Sequence, residues 1–208
     1  MQDKLAGFLL QIKAIKLNVQ KPFTWASGIR SPIYCDNRIT LSYPEIRDYI
    51  KDQFIALIKE KYGQPDLIAG VATGGIAQGA LIADALKLPF VYVRSSKKTH
   101  GLSNQIEGIV EPGQRVVVIE DLVSTGGSSL HSVQALRDSG AKVTGMCAIF
   151  TYGLEEAKNN FMAANCTLNT LTDIHALLEQ AMTQKYITTE ELRSIREWHK
   201  NPVNWQQE

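Results

Sequence analysis

The residues most able to do chemistry lie together at 116–129, V-V-V-I-E-D-L-V-S-T-G-G-S-S. Residues 116–119 form an apolar, β-branched run of the kind that makes a strand buried on both faces. Glu120 and Asp121, two adjacent acids, fall at its carboxyl end. Leu122 and Val123 follow, and then Ser124, Thr125, Gly126, Gly127, Ser128 and Ser129, which open a predicted helix over 128–139 with Leu130, Val133 and Leu136 on one face. Such a loop aims backbone N–H groups and hydroxyls at one anion, and the helix N-terminus adds the positive end of its dipole. Glycine lets the backbone come close to a phosphate that a side chain would hold off. One strand–loop–helix unit therefore sets two carboxylates beside a phosphate cradle. A ribose 5′-phosphate asks for that pairing: acceptors for its ring hydroxyls and an anion hole for its phosphate. The bland alternative is a buried strand running into a capped helix, with both acids solvated. A strand ending in two acids also fits the magnesium-binding strand of P-loop ATPases, but no G-x-x-x-x-G-K-[ST] occurs in the chain, which excludes that reading.

A second group of chemically able residues is cationic. Residues 94–101 read R-S-S-K-K-T-H-G, so Arg94, Lys97, Lys98 and His100 share one polar stretch that runs on to 113. A polar segment this long inside a compact domain is a lid, a β-ribbon or disorder. A cationic lid suits a polyanion that must be sealed in and then released. Standing alone, the same residues would read as a solvated surface loop.

The elements that must position these groups follow from periodicity. Leu5, Phe8, Leu9, Ile12 and Ile15 have helical spacing, which predicts an amphipathic helix over 3–17. Ser27-Gly28 suggests a turn, Ser31-Pro32 an extended entry, and 33–35 a short strand. Pro44 starts a second helix with Ile46, Tyr49, Ile50, Phe54, Leu57 and Ile58 on its buried side. Strands are predicted at 67–72, 89–93, 115–119 and 142–150, with helices over 76–86 and 128–139 between them. Strands alternating with helices predict an α/β fold, a mostly parallel sheet covered on both faces. Ligands in such folds sit at the carboxyl ends of strands, where Thr73, Gly74, Gly75, Arg94, Glu120 and Asp121 all fall. Beyond 150, residues 166–168 suggest an edge strand, and helices are expected over 173–184 and 189–200, with Trp198 and Trp205 packing the tail.

Whole-chain properties narrow the classes. A chain of 208 residues can bury a full core as one domain. A net charge of +1 argues against a broad nucleic-acid surface. Cys35, Cys147 and Cys166 are widely spaced with no C-x-x-C, so neither a disulfide framework nor a zinc site is suggested. The sequence M-Q-D-K-L-A-G-F lacks a signal-peptide core, and a soluble, cytoplasmic protein is expected.

The stretch at 116–129 resembles the phosphoribosyl pyrophosphate signature of type I phosphoribosyltransferases. The loop R-x-x-x-K-x-H-G narrows the resemblance to orotate phosphoribosyltransferases. N-Q-I-E-G at 104–108, F-T-W-A-S-G at 23–28 and S-P-I-Y-C-D at 31–36 match one bacterial branch of that family. The resemblance implies the type I fold over 1–208, with residues 1–40 contributing to a hood over the base, 94–113 a flexible lid and 171–208 a helical tail. It implies that Lys98 and His100 reach into the neighbouring subunit of a homodimer and hold pyrophosphate, that Arg94 binds pyrophosphate, and that Glu120 and Asp121 face the ribose. It also implies that residues 124–128 bind the 5′-phosphate, with Ser124 near the base, and that the segment from Ala26 to Tyr34 covers orotate. The reaction implied joins orotate to phosphoribosyl pyrophosphate. Mg²⁺ is the expected cofactor, held mainly by substrate oxygens with no dedicated protein metal site. The chain departs from other branches, which carry lysines where Ala26 and Gly74 stand, and some an arginine where Tyr152 stands. Ser95 also replaces a frequent lysine, for which Lys97 is the expected compensation. Arg30 and backbone N–H groups near Ser31 are the candidates to meet the orotate anion. A phosphoribosyltransferase for another base, and a nucleotide-sensing regulator on the same fold, are the rival readings. The intact Lys98 and His100 and the balanced charge count against the regulator.

Overall fold

A computed structural model describes residues 2–25, 27–95 and 105–205. Its centre is a six-stranded sheet of order β10-β9-β8-β5-β6-β7. These strands are β5 (Leu67–Val71), β6 (Phe90–Val93), β7 (Ile106–Glu107), β8 (Arg115–Val123), β9 (Lys142–Thr151) and β10 (Leu168–Asp173). All neighbours are parallel except β7, which runs antiparallel to β6. Residues along each strand alternate between two cores. Ile68, Val117, Ile119, Cys147 and Ile149 face one, and Leu67, Ala69, Val116, Val118, Met146 and Ala148 face the other. Both faces are apolar because both are covered, which is why these strands read as unbroken hydrophobic runs.

The first core is closed by α1 (Gln2–Gln11), α2 (Pro44–Tyr62), α3 (Gly74–Leu86), α6 (Ile174–Thr183) and α7 (Thr189–Lys200). The second is closed by α4 (Gly127–Asp138), through Val133 and Leu136, and by α5 (Glu155–Ala163), through Ala157 and Phe161. Pro44 opens α2, and Ile46, Ile50, Phe54 and Ile58 are its buried stripe, with Tyr49 and Leu57 half-buried beside them. Asp173 caps α6, and Thr188 with Glu191 forms a full capping box on α7.

Three expectations change. The first helix stops at Gln11, and Ile15–Leu17 forms β1, paired antiparallel with β4 (Ile33–Cys35). Lys13 turns to φ +57° and ends the helix, and Ile15 then reaches full burial from a strand instead. Glu120 and Asp121 do not end their strand: β8 continues to Val123 because β9 keeps supplying partners, Glu120 opposite Ala148 and Val123 opposite Thr151. The helix α5 had no counterpart in the sequence reading.

The remaining N-terminal strands, β2 (Phe23–Thr24) and β3 (Arg30–Ser31), form a small hairpin. An aromatic cluster fastens it to the rest. Trp25 lies 4.7 Å from Tyr152 and 5.6 Å from Trp198, ring centre to ring centre. Trp198 Nε1 donates to the Arg30 carbonyl at 3.0 Å, and Trp25 Nε1 to the Ile33 carbonyl at 3.1 Å. Trp198 and Trp205 are both buried, as packing residues should be.

Candidate active site

The chain leaves β5 toward β6 on one side, whereas β8, β9 and β10 lie on the other. The carboxyl ends of β5 and β8 therefore flank a topological switch point, where open α/β sheets leave a crevice. Pairing between these strands ends at Gly70 and Ile119. From Glu120 onward, β8 is paired on the β9 side only, and its other edge opens into a cleft of ≈ 340 Å³. Lining it are Val71, Ala72, Thr73 and Gly74 from the turn after β5, Glu120, Asp121 and Leu122 from β8, Ser128 from α4, and Cys35, Asp36 and Arg38 from the segment after β4.

The two acids divide the work of the cleft floor. Glu120 is 5 % exposed; its Oε2 accepts from the Ser129 hydroxyl at 2.9 Å and its Oε1 from the Asp121 N–H at 3.0 Å. Asp121 faces the opposite wall. There Gly74 has no side chain because the space that its Cβ would take is filled by the Asp121 carboxylate. The Asp121 carbonyl accepts from Asn37 Nδ2 at 2.6 Å, which ties β8 to the N-terminal segment. Burial, then the neighbouring Asp121 charge, pushes the Glu120 carboxyl well up from its usual range, and burial raises Asp121 as well. Two carboxylates on adjacent residues, with few charges to balance them, resist sharing a second negative charge.

This pair makes a pH prediction. A carboxyl whose folded pKa is raised binds more protons folded than unfolded in the window above the ordinary carboxylate pKa of about 4.3. Stability therefore falls as pH rises from there through the folded value. Melting temperature measured against pH should show that fall in the wild-type protein, and Glu120→Gln should flatten it. Parallel curves for the two proteins would remove Glu120 as the cause.

The loop above the acids is built as the sequence suggested. Gly126 sits at φ +85° as the N-cap of α4, a left-handed conformation natural to glycine, and no side chain caps the helix. The first-turn N–H groups of α4 are thus left for a ligand. Asn160 Nδ2 holds the Thr125 carbonyl at 2.9 Å, so α5 fixes the loop from behind. Ser128 is exposed at the cleft, Ser124 and Thr125 are half-buried, and Val123 is buried.

The other predicted residues are placed as follows. Arg94 follows β6 and pairs with Glu107 of β7 at 3.4 Å, and its backbone is bonded on both sides to Gln105. The Ala72 N–H donates to the Val93 carbonyl, which sets Arg94 beside the turn after β5. Arg30 is exposed on β3, and Tyr34 is 40 % exposed on β4 against Phe23. Ser31 is buried, its hydroxyl bonded to the Ile33 backbone, so it is a turn residue first. Tyr152 is buried in the aromatic cluster. Ala26, Lys97, Lys98 and His100 lie outside the described residues. Sequence reasoning missed Asn37 and Arg38, whereas Ser129 closes the hydroxyl-rich stretch that it singled out and bonds Glu120. The polar pair Asn37-Arg38 follows directly on the S-P-I-Y-C-D segment: Arg38 lines the cleft, and Asn37 bonds the Asp121 carbonyl beside it. Cys35 also lines the cleft, but burial and then the Asp121 and Asp36 charges push its thiol well up, so it is no nucleophile.

Residues 42–179 match the family model of the phosphoribosyl transferase domain, which sets the class of protein to which this crevice belongs. Within that class, an orotate phosphoribosyltransferase of Bacteroides fragilis is 56% identical over 206 residues, 99% of this chain and 97% of that protein. One from Listeria innocua is 52% identical over 205 residues, 99% of this chain and 98% of the other. Among solved structures, the orotate phosphoribosyltransferase of Aeropyrum pernix superposes with a TM-score of 0.76 at 29% identity, over 88% of this chain and 99% of that one. The UMP synthase of Leishmania donovani gives a TM-score of 0.80 at 26% identity; it covers 95% of this chain, which spans only 42% of that longer protein. The chain belongs to the orotate phosphoribosyltransferase family.

Proposed function

We propose that the protein transfers the 5-phosphoribosyl group from phosphoribosyl pyrophosphate to orotate, giving orotidine 5′-monophosphate and pyrophosphate in the synthesis of UMP. The observation that carries this reading is the switch-point crevice. It sets Glu120 and Asp121 between an uncapped glycine-rich helix start and a glycine turn, in a chain 56% identical over 99% of its length to an enzyme named for that activity.

The reacting carbon of the ribose passes through an oxocarbenium-like state, as in glycoside chemistry. Positive charge grows on the sugar and negative charge on the departing pyrophosphate. The carboxylates of Glu120 and Asp121 face the ribose hydroxyls and the growing positive charge, and the 124–128 loop holds the 5′-phosphate. Arg94 and the turn from Thr73 to Gly74 stand on the pyrophosphate side, where Lys98 and His100 of the lid add charge on closure. Closure also excludes the water that would hydrolyse the donor. No strong general base is needed, since the attacking ring nitrogen of orotate is supplied largely as an anion.

Three carboxylates line the cleft with a single arginine among the described residues, an excess of negative charge that favours a cation arriving with the substrate. Those residues contain no cluster of three His, Cys, Asp or Glu able to hold a metal by itself. The reading adopted is that Mg²⁺ arrives with the substrate, held mainly by substrate oxygens and water with Glu120 and Asp121 nearby, and when bound would neutralise the leaving group. The lid is read as acting in the neighbouring subunit of a two-fold dimer. No described helix is long and apolar enough to cross a membrane, and a cytoplasmic enzyme is the reading that we adopt.

An absorbance assay with phosphoribosyl pyrophosphate and Mg²⁺ tests the reaction, with orotate, uracil, adenine and hypoxanthine in parallel. Consumption of orotate alone is expected. Turnover of another base instead would keep the ribose site and overturn the base assignment. Absence of turnover on chelation by EDTA, restored by Mg²⁺, is the expected result for the cation.

A further inference from the structure

Among the described residues, Arg38 is the one cation lining the cleft. It is held in a defined orientation. Its Nε donates to Asp36 Oδ1 at 2.7 Å and its Nη2 to Asp36 Oδ2 at 2.9 Å, a bidentate pair on one edge of the guanidinium. The Arg38 N–H donates to the same Asp36 carboxylate, which also caps the 3-10 turn Asn37–Ser42. An arginine tied this way loses little further freedom when it binds a ligand. A guanidinium has five N–H donors, and its Nη1–Nη2 edge forms a second fork that matches a carboxylate. The Arg38 side chain is 57% exposed, so that fork is not sealed into the protein.

Position favours the base side of the cleft. The pyrophosphate side has Arg94 and the turn from Thr73 to Gly74. Arg38 follows β4, the strand that carries Tyr34, and it feels the charges of Asp36 and Asp121 together. The side chain thus bridges the segment expected over the base and the acid expected at the ribose. Orotate differs from uracil by one carboxylate, and an anion beside Glu120 and Asp121 would be repelled without a cation at hand.

We propose that Arg38 is a specificity-determining residue: its outward fork receives the carboxylate of the acceptor base, with Asp36 as its fixed anchor. The proposal rests on orotate as the acceptor. The absence of the lysines that other branches carry at positions 26 and 74 then has a local answer, since the cation enters from residue 38.

Initial rates test this with purified full chain, varying orotate and phosphoribosyl pyrophosphate separately. Arg38→Gln should raise the KM for orotate about tenfold, on the scale of a lost charged hydrogen bond, and leave the KM for the donor within about twofold. Arg38→Lys, which keeps the charge and loses the fork, should fall between. Asp36→Asn releases the anchor but leaves the guanidinium, and should shift the orotate KM less than Arg38→Gln does. Circular dichroism and melting temperature establish that each variant is folded. An unchanged orotate KM in Arg38→Gln would overturn the proposal. So would a rise confined to the donor KM, which would assign the fork to pyrophosphate, or an equal rise in both, the mark of a displaced Asn37 and a distorted β8. Wild-type protein that fails to consume orotate in the same assay would instead sink the reading of the reaction.

Discussion

Replacing Lys98 by alanine should lower turnover by roughly 100- to 1,000-fold, the scale of removing one preorganised donor from a developing anion. Arg94 and Gln105 flank the segment that carries it. The Arg94 N–H donates to the Gln105 carbonyl at 2.9 Å, and Gln105 Nε2 returns a bond to the Arg94 carbonyl at 2.8 Å. Behind them β7 pairs with β6, and Glu107 with Arg94. Arg94 and Gln105, the described residues on either side of the segment proposed as a lid, are thereby pinned together at the carboxyl edge of the sheet. Circular dichroism and melting temperature measured alongside establish that Lys98→Ala is folded. Mixing Lys98→Ala subunits with Asp121→Asn subunits gives the sharper result. If the lid serves the neighbouring subunit, hybrid dimers contain one intact site and activity returns. Near-normal turnover of Lys98→Ala alone would refute the role, and no recovery in the hybrids would confine the lid to its own subunit.

The second large effect concerns Gly74. Its Cβ would meet the carboxylate of Asp121, the far end of a short side chain that can rotate away. Gly74→Ala should therefore change melting temperature little and turnover much. If Asp121 faces the ribose as proposed, displacing its carboxylate forfeits a charged hydrogen bond of about 1.5–3 kcal/mol, roughly a 10- to 100-fold loss in kcat/KM. Stopped-flow or steady-state rates with thermal melts separate the two quantities. Normal turnover would mean that Asp121 contributes nothing from its present position. A collapse in stability would mean that the turn, not the acid, was the point of contact.

The parallel sheet was legible because its central strands are buried on both faces and write themselves as apolar runs at 67–71 and 116–119. The glycine- and hydroxyl-rich turn between β8 and α4 was legible because such residues between a strand and a helix mark a helix start. Boundaries were less so. Ile15 fits a helical stripe as well as a strand, and only its pairing with Cys35 decides the matter. The extension of β8 through the two acids depends on β9, which arrives later in the chain. The helix α5 shows only Ala157 and Phe161 as buried apolar residues amid polar neighbours, too sparse a stripe to declare itself. Asn37 and Arg38 were missed because their partners lie at residues 121 and 36, one far along the chain and one reached only by a folded-back side chain.

The staple between Trp198 and the Arg30 carbonyl spans 168 residues of chain. The phosphate loop needs nothing so distant: β8, the loop and α4 are consecutive, and Asn160 completes them from nearby. The two sides of the crevice therefore depend on different parts of the chain. Fusions that disturb α7 should loosen the hairpin at 23–31 and weaken base selectivity before they weaken binding of the donor.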